Sequence, residues 1–174
     1  MTTEPSPDTY RVCFVCSGNI CRSPMAEVVL RARLDERGLG GRVAVDSAGT
    51  GDWHAGDPAD PRAWAALDEA GYAVGPHDHA ARWFDPGWFG RYDLIVALDR
   101  GHERALRRLA PTAADAAKVR LLLAGPEHAD DPDVPDPYYG DDAGFAACLS
   151  IIEGGMPDVL ETIDRALAGR VGPT

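Results

Sequence analysis

The stretch from Tyr10 to Pro24, YRVCFVCSGNICRSP, decides the reading of this chain. Tyr10 to Cys16 is a short β-branched and aromatic run, the composition of a strand. Ser23-Pro24 then offers a helix cap with proline at the first helical position, and Gly38 stops that helix near Arg37. Between strand and helix lies a turn holding Cys16, Gly18, Cys21 and Arg22. It could be a metal knuckle, a redox pair, a plain structural turn with buried thiols, or a nucleophile set in an anion-binding loop.

Outward from this stretch the pattern repeats. RVAVDSAG (42–49) is a second strand. Asp60-Pro61 repeats the cap-plus-proline signal, with Trp64, Leu67 and Ala70 spaced for one helix face before Gly71. YDLIVALD (92–99) reads as a doubly covered parallel strand, and Asp99 caps the helix RGHERALRRLA. AKVRLLLAG (117–125) supplies a fourth strand, followed by an acidic loop at 126–142. A last helical stretch runs from about Ala143 to Ala168, with breaks expected near Gly154-Gly155 and Pro157. Strands alternating with helices imply an α/β fold: one domain, an open four-stranded, mostly parallel sheet, helices on both faces. The phosphate-sized loop after the first strand sits where such sheets bind ligands. Residues 10–170 are read as this domain and residues 1–9, rich in Pro, Thr and acid, as a flexible tail.

The chain of 174 residues is long enough for one substantial core. Its net charge of −11 argues against a nucleic-acid or anionic-membrane surface. No continuous apolar run approaches the roughly 18 residues of a membrane span, and Met1 to Pro5 lack the marks of a signal peptide. A site for an anion must therefore be a local positive spot. Of the four cysteines (13, 16, 21 and 148) three crowd into one short stretch, too close for a disulfide framework. Reduced thiols in a cytoplasmic protein are expected.

Cys13 and Cys16 form C-x-x-C, yet an offset of three along a strand points the side chains to opposite faces. His77 and His79 are at hand, but no second C-x-x-C or H-x3-H exists, so no metal is expected. The mononucleotide signature G-x4-G-K-[ST] is absent. Cys13 reads as a small core residue. The nucleophile reading accounts for more of the string. Cys16 at the strand end and Arg22 at the helix mouth bracket Ser17, Gly18, Asn19, Ile20 and Cys21, whose backbone N–H groups can curl round an anion. The same field favours a thiolate at Cys16. Arg22 offers a planar fork matched to two phosphate oxygens, and Gly18 eases the turn.

Residues 15–27, VCSGNICRSPMAE, resemble the active-site loop of the low-molecular-weight protein tyrosine phosphatases. DSAGTGDWHAGDPADPRA (46–63), HAAR (79–82) and VPDPYYG (134–140) resemble three further segments of that family, in order. The resemblance implies hydrolysis of phosphotyrosine through a phosphocysteine on Cys16, with Arg22 holding phosphate and Asp136 as general acid and base. From the residues alone, Asp130, Asp131, Asp133, Asp141 and Asp142 compete with Asp136 for that role. The resemblance further implies that Ser23 hydrogen-bonds the thiolate, that Asn19, Ser47 and His79 brace the loop, and that Trp53, Tyr138 and Tyr139 rim the pocket. Asp99 matches a family aspartate and is read as structural. Tyrosine-phosphorylated proteins are the expected partners of a monomeric, cytoplasmic bacterial enzyme without cofactor or metal.

Three alternatives compete with this reading. Arsenate reductases of this fold need two further cysteines in mid-chain, and none occurs between 21 and 148. Protein-arginine phosphatases resemble the loop but carry threonine where Ile20 stands. A non-catalytic phosphotyrosine-binding module would need neither Cys16 nor Asp136. Cys21 is a candidate partner for an oxidised Cys16, because a loop curled round one phosphate brings its ends close.

Overall fold

The computed structural model describes residues 6–73 and 79–170. Strand β1 (Tyr10–Cys16) is buried at every position except Arg11. It pairs in parallel with β2 (Val43–Gly49) on one side and β3 (Leu94–Ala97) on the other, and β4 (Val119–Leu121) lies beyond β3. The order is β2-β1-β3-β4, and every pairing is parallel. Successive crossovers leave β1 in opposite directions, so a crevice opens at its C-terminal end. That end is Cys16.

Alternation along β1 builds two cores. Val12, Phe14 and Cys16 face the larger one, with Met25, Val29 and Leu30 of α1 (Arg22–Glu36), Leu67 of α2 (Pro61–Glu69) and Phe145, Ile152 and Val159 of α5 (Asp142–Arg170). Cys13 and Val15 face the other, with Phe84, Phe89 and Tyr92 and with Leu106 of α3 (Arg100–Leu109). C-x-x-C is thus split across the sheet, as the offset of three requires. Each fully buried Phe or Leu contributes about 1.5–3 kcal/mol, so these two layers supply most of the drive to fold.

Several local expectations change. Helix α1 begins at Arg22, two residues early, with Cys21 at the N-cap and no side-chain cap; Ser23 caps nothing, because its hydroxyl is used elsewhere. Gly38, at φ 72°, follows the C-cap Arg37 as expected. Asp60 does cap α2, accepting from the Arg62 N–H with Pro61 next in line. The buried face of α2 is Ala63, Ala66 and Leu67, with Ala70 exposed beyond the last turn. Asp99 caps α3 through the His102 N–H.

The largest departure is α5, which runs unbroken for 29 residues through Pro157. Its apolar stripe from Phe145 to Leu167 is buried in the core, and that packing outweighs the hydrogen bond proline removes. Gly155 is there for contact rather than for a break: a Cβ would lie 2.7 Å from Leu122 Cγ. By length and composition α5 would also pass for a membrane span, with a window of mean hydropathy 1.3. Its burial against the sheet makes it a core helix. A short α4 (Ala113–Ala116) and 3-10 turns at Pro86–Arg91 and Pro126–His128 carry no periodicity to read from sequence. Of the expected tail, residues 6–9 form a turn closed by Thr9 N–H to Ser6 O at 2.9 Å; residues 1–5, and His77 with its neighbours 74–78, lie outside the described residues.

Candidate active site

The loop from Ser17 to Cys21 leaves β1 and is pinned against the end of β2. Thr50 N–H donates to Cys16 O at 2.8 Å and Gly51 N–H to Ser17 O at 3.1 Å. Gly49 permits this approach, since a Cβ there would meet Ser17 O at 2.6 Å. The left-handed residue of the turn is Asn19, at φ 59°, and not Gly18. Asparagine tolerates this region because its side chain can bond locally. Gly18 is needed instead where His54 packs on it, with Cδ2 2.8 Å from a would-be Cβ.

Asn19, fully buried, is the hub of the loop. Its Nδ2 donates to Ser23 Oγ at 2.8 Å and to Ser47 Oγ at 2.9 Å, and its Oδ1 accepts from Arg82 N–H at 2.9 Å. Its backbone carbonyl accepts from His79 Nε2 at 2.6 Å, which fixes that nitrogen as the protonated one. Burial lowers the His79 pKa, so the ring is held neutral. Ser23 Oγ lies 3.0 Å from Cys16 Sγ. Asn19 fills a lone pair of that oxygen, and the hydroxyl hydrogen has Cys16 Sγ as its nearer acceptor and Ala48 O, at 3.4 Å, as its farther one. Ser23, Ser47, Asn19 and His79 therefore meet as one network around Cys16, itself only 3% exposed.

Among the described residues, the N–H groups of Ser17, Gly18, Asn19, Ile20 and Cys21 donate to no protein acceptor. Five successive donors in a curled loop at a helix N-terminus form an anion nest. Arg22 closes it. Nη1 of Arg22 is spent on Asp99 Oδ2 and Val134 O, each at 3.0 Å. Nη2 is 3.5 Å from both Ser17 Oγ and His102 Nε2 and 3.8 Å from Asp136 Oδ2. Nε has no protein acceptor among the described residues, so an Nε–H/Nη2–H fork stays open for a bidentate oxyanion. Asp99, read as structural, both caps α3 and anchors this guanidinium.

A cleft of about 280 Å³ opens over the loop, lined by Cys16, Ile20, Arg22, Trp53, Asp136 and Tyr138 among others. Of the competing acidic-loop residues, Asp136 alone lines it. Asp133 turns away to Arg100, Asp130 and Asp131 border a different hollow, and Asp141 binds Gly144 N–H at the start of α5. Asp136 is aimed by Tyr138 N–H, which donates to Oδ1 at 3.1 Å. Trp53 is 71% and Tyr139 92% exposed, so both stand on the rim with Tyr138. Cys21 is buried beneath the loop with its thiol pushed up to about 12 by burial, and Cys148 likewise.

Four contributors escaped the sequence reading. Arg62 holds the acidic loop, donating to Tyr138 O at 2.9 Å and Gly140 O at 3.0 Å. Arg82 ties the HAAR segment to Asn19 and to Ser47 O. His54 lines the cleft and His102 contacts Ser17 and Arg22. Arg82 could have been suspected beside His79; the others act across the fold and leave no local signal.

Comparison with known proteins agrees with this geometry. Residues 11–168 match the family model described as low molecular weight phosphotyrosine protein phosphatase. The chain is 58% identical over 164 residues to a low molecular weight protein-tyrosine-phosphatase of Streptomyces coelicolor, covering 93% of this chain and 98% of that one. It is 46% identical over 171 residues to low molecular weight protein-tyrosine phosphatase A of Mycobacterium bovis, covering 96% and 99%. Among solved structures, a protein tyrosine phosphatase from Entamoeba histolytica with Hepes in its active site superposes with a TM-score of 0.83 at 30% identity, covering 91% and 99%. With the nest, the cysteine beneath it and this likeness along nearly its whole length, the chain belongs to the low molecular weight phosphotyrosine protein phosphatase family and is a hydrolase.

Proposed function

We propose that residues 10–170 form a catalytic unit that hydrolyses phosphotyrosine in proteins through a phosphocysteine on Cys16. The observation that carries this reading is the ring of five unengaged N–H donors, closed by the open edge of Arg22, around a buried thiol sulfur. A phosphoryl group seated there presents phosphorus to Sγ, and its equatorial oxygens meet donors already in place. The S–P bond forms as the P–O bond to the aryl group breaks, and Asp136 gives its proton to the departing phenolate oxygen. Asp136, now a carboxylate, takes a proton from a water whose oxygen attacks phosphorus. The S–P bond breaks, releasing phosphate and restoring the Cys16 thiolate, which accepts the Ser23 hydroxyl hydrogen.

The aromatic rim supports an aryl ester as substrate. Trp53 and Tyr138 line the cleft together with Cys16, whose 3% exposure suits the longer reach of an aryl phosphate better than a phosphate on a short serine side chain. Ile20, apolar and facing the cleft, favours a phenyl ring over a guanidinium. The test uses p-nitrophenyl phosphate and a phosphotyrosine peptide. Cys16→Ser is expected to abolish turnover of both while the thermal midpoint holds, because the serine hydroxyl does not ionise at working pH. Asp136→Ala is expected to retain phosphotyrosine proteins from lysate long enough for their identification. Turnover surviving in Cys16→Ser would end the phosphocysteine mechanism.

A further inference from the structure

His102 stands in α3, far in sequence from the phosphate loop, yet it touches two residues of that loop. It is buried, with Nε2 2.8 Å from Ser17 Oγ and 3.5 Å from Arg22 Nη2. Nδ1 lies 3.2 Å from Asp99 Oδ1 without a formed hydrogen bond, and that oxygen accepts from the His102 backbone N–H at 2.9 Å. Asp99 Oδ2 in turn holds Arg22 Nη1. Two residues of one helical turn, Asp99 and His102, thus grip both nitrogens of the Arg22 outer edge.

We propose that His102 is a positioning residue for Arg22: its Nε2 lone pair accepts from Ser17 O–H and Arg22 Nη2–H and thereby aims the free guanidinium edge at the phosphoryl oxygens. The proposal rests on the phosphatase reading above and adds a residue that acts on phosphate only through Arg22.

Three observations fix the direction of these bonds. Arg22 has only donors, so Nε2 must be the acceptor in that contact. The hydrogen then sits on Nδ1, where Asp99 Oδ1 is the facing charge. Burial lowers the His102 pKa, outweighing the nearby carboxylates of Asp99, Asp136 and Asp133, while the Arg22 cation lowers it further. The ring is therefore neutral at working pH and keeps the lone pair that the geometry requires. Protonation would set an N–H against a guanidinium and drive the two apart. The rival role is packing alone. His102 lies beside the core residue Leu106 on α3, and an apolar side chain of similar length would fill the same space equally well.

Two variants separate the roles. His102→Gln keeps an acceptor at about the reach of Nε2, and His102→Met keeps the volume and flexibility but no comparable acceptor. The readouts are kcat/KM for p-nitrophenyl phosphate, the inhibition constant of inorganic phosphate, the thermal midpoint, and kcat across esters of differing leaving group. For positioning, His102→Met is expected to lower kcat/KM about 10-fold and weaken phosphate binding in parallel, the scale of one hydrogen bond to a charged group. His102→Gln is expected to recover most of both. The loss should be the same for good and poor leaving groups, since Asp136 is untouched. If His102→Met matches or exceeds His102→Gln at comparable thermal midpoints, the side chain only packs and the proposal is overturned. If neither variant folds, the midpoint shows it, and Ser17→Ala serves instead: positioning predicts weaker phosphate inhibition, and an unchanged constant overturns the brace. A wild-type protein inert on aryl phosphates would overturn the phosphatase reading itself, an outcome distinct from all of these.

Discussion

Replacing Asn19 probes the loop at its hub. Asn19→Ala removes three hydrogen bonds: from Nδ2 to Ser23 and Ser47 at 2.8 and 2.9 Å, and from Arg82 N–H to Oδ1 at 2.9 Å. At about 1 kcal/mol each, these sum to about 3 kcal/mol. Alanine at φ 59° keeps the strain of about 1 kcal/mol that a Cβ against the following carbonyl already costs asparagine there. The expected loss for alanine is about 3 kcal/mol, a large share of the roughly 5–15 kcal/mol that holds a domain together. Asn19→Gly loses the same bonds without the strain, so glycine should be the more stable variant by about 1 kcal/mol, less what its flexible unfolded chain takes back. That order is the reverse of the one found inside a helix, where alanine wins. Urea denaturation of the three proteins, fitted for midpoint and slope, measures both differences. In both variants the lost donor to Ser23 should also lower kcat/KM on p-nitrophenyl phosphate. A penalty under about 1 kcal/mol for either variant, or alanine more stable than glycine, would refute the account of the hub.

Asp136→Ala should lower kcat by about 10²–10⁴-fold, less for leaving groups that need no proton, while Asp133→Asn, whose carboxylate faces Arg100, should be mild. Reversed effects would move the acid to Asp133. Phosphotyrosine peptides should be hydrolysed far faster than phosphoserine or phosphoarginine peptides, and comparable rates on phosphoarginine would count against the role given to Ile20. Stability should fall as pH drops from about 7 to about 5, since His79 and His102 have lowered native pKa values and the unfolded chain takes up protons first. His79→Gln should flatten that slope in urea titrations, whereas Glu27, raised by burial, acts with opposite sign. Peroxide should inactivate the enzyme reversibly while Cys21 is present and largely permanently in Cys21→Ser, with a Cys16–Cys21 bond seen by mass spectrometry. Because burial pushes the Cys21 thiol up to about 12, attack of Cys21 on the Cys16 sulfenic acid, with loss of water, should quicken as pH rises; equal recovery in the two proteins would leave Cys21 as packing.

Much of this protein is local and therefore legible in its sequence. The β-branched run at Tyr10–Cys16, the Asp60-Pro61 and Asp99 caps and the stop at Gly38 act within a turn or two, so their residue types alone announce strands, helices and an α/β order. The split of Cys13 from Cys16 follows from a period of two. C-x5-R marks the loop because both residues lie on the same short turn.

What tertiary structure decided involves partners distant along the chain. Ser23 reads as a cap by type, but its hydroxyl is claimed by Cys16 and Asn19, so the helix starts two residues earlier without it. Pro157 and Gly155 read as breakers, yet burial of the α5 stripe and close approach to Leu122 keep that helix whole. Six aspartates crowd the acidic loop with similar local chemistry. Only packing, with Arg100 drawing Asp133 away and Arg62 holding the Tyr138 and Gly140 carbonyls, leaves Asp136 over the cleft. The grip of Asp99 and His102 on Arg22 spans about eighty positions of sequence, a contact no local pattern encodes because it exists only once β1 and β3 lie side by side.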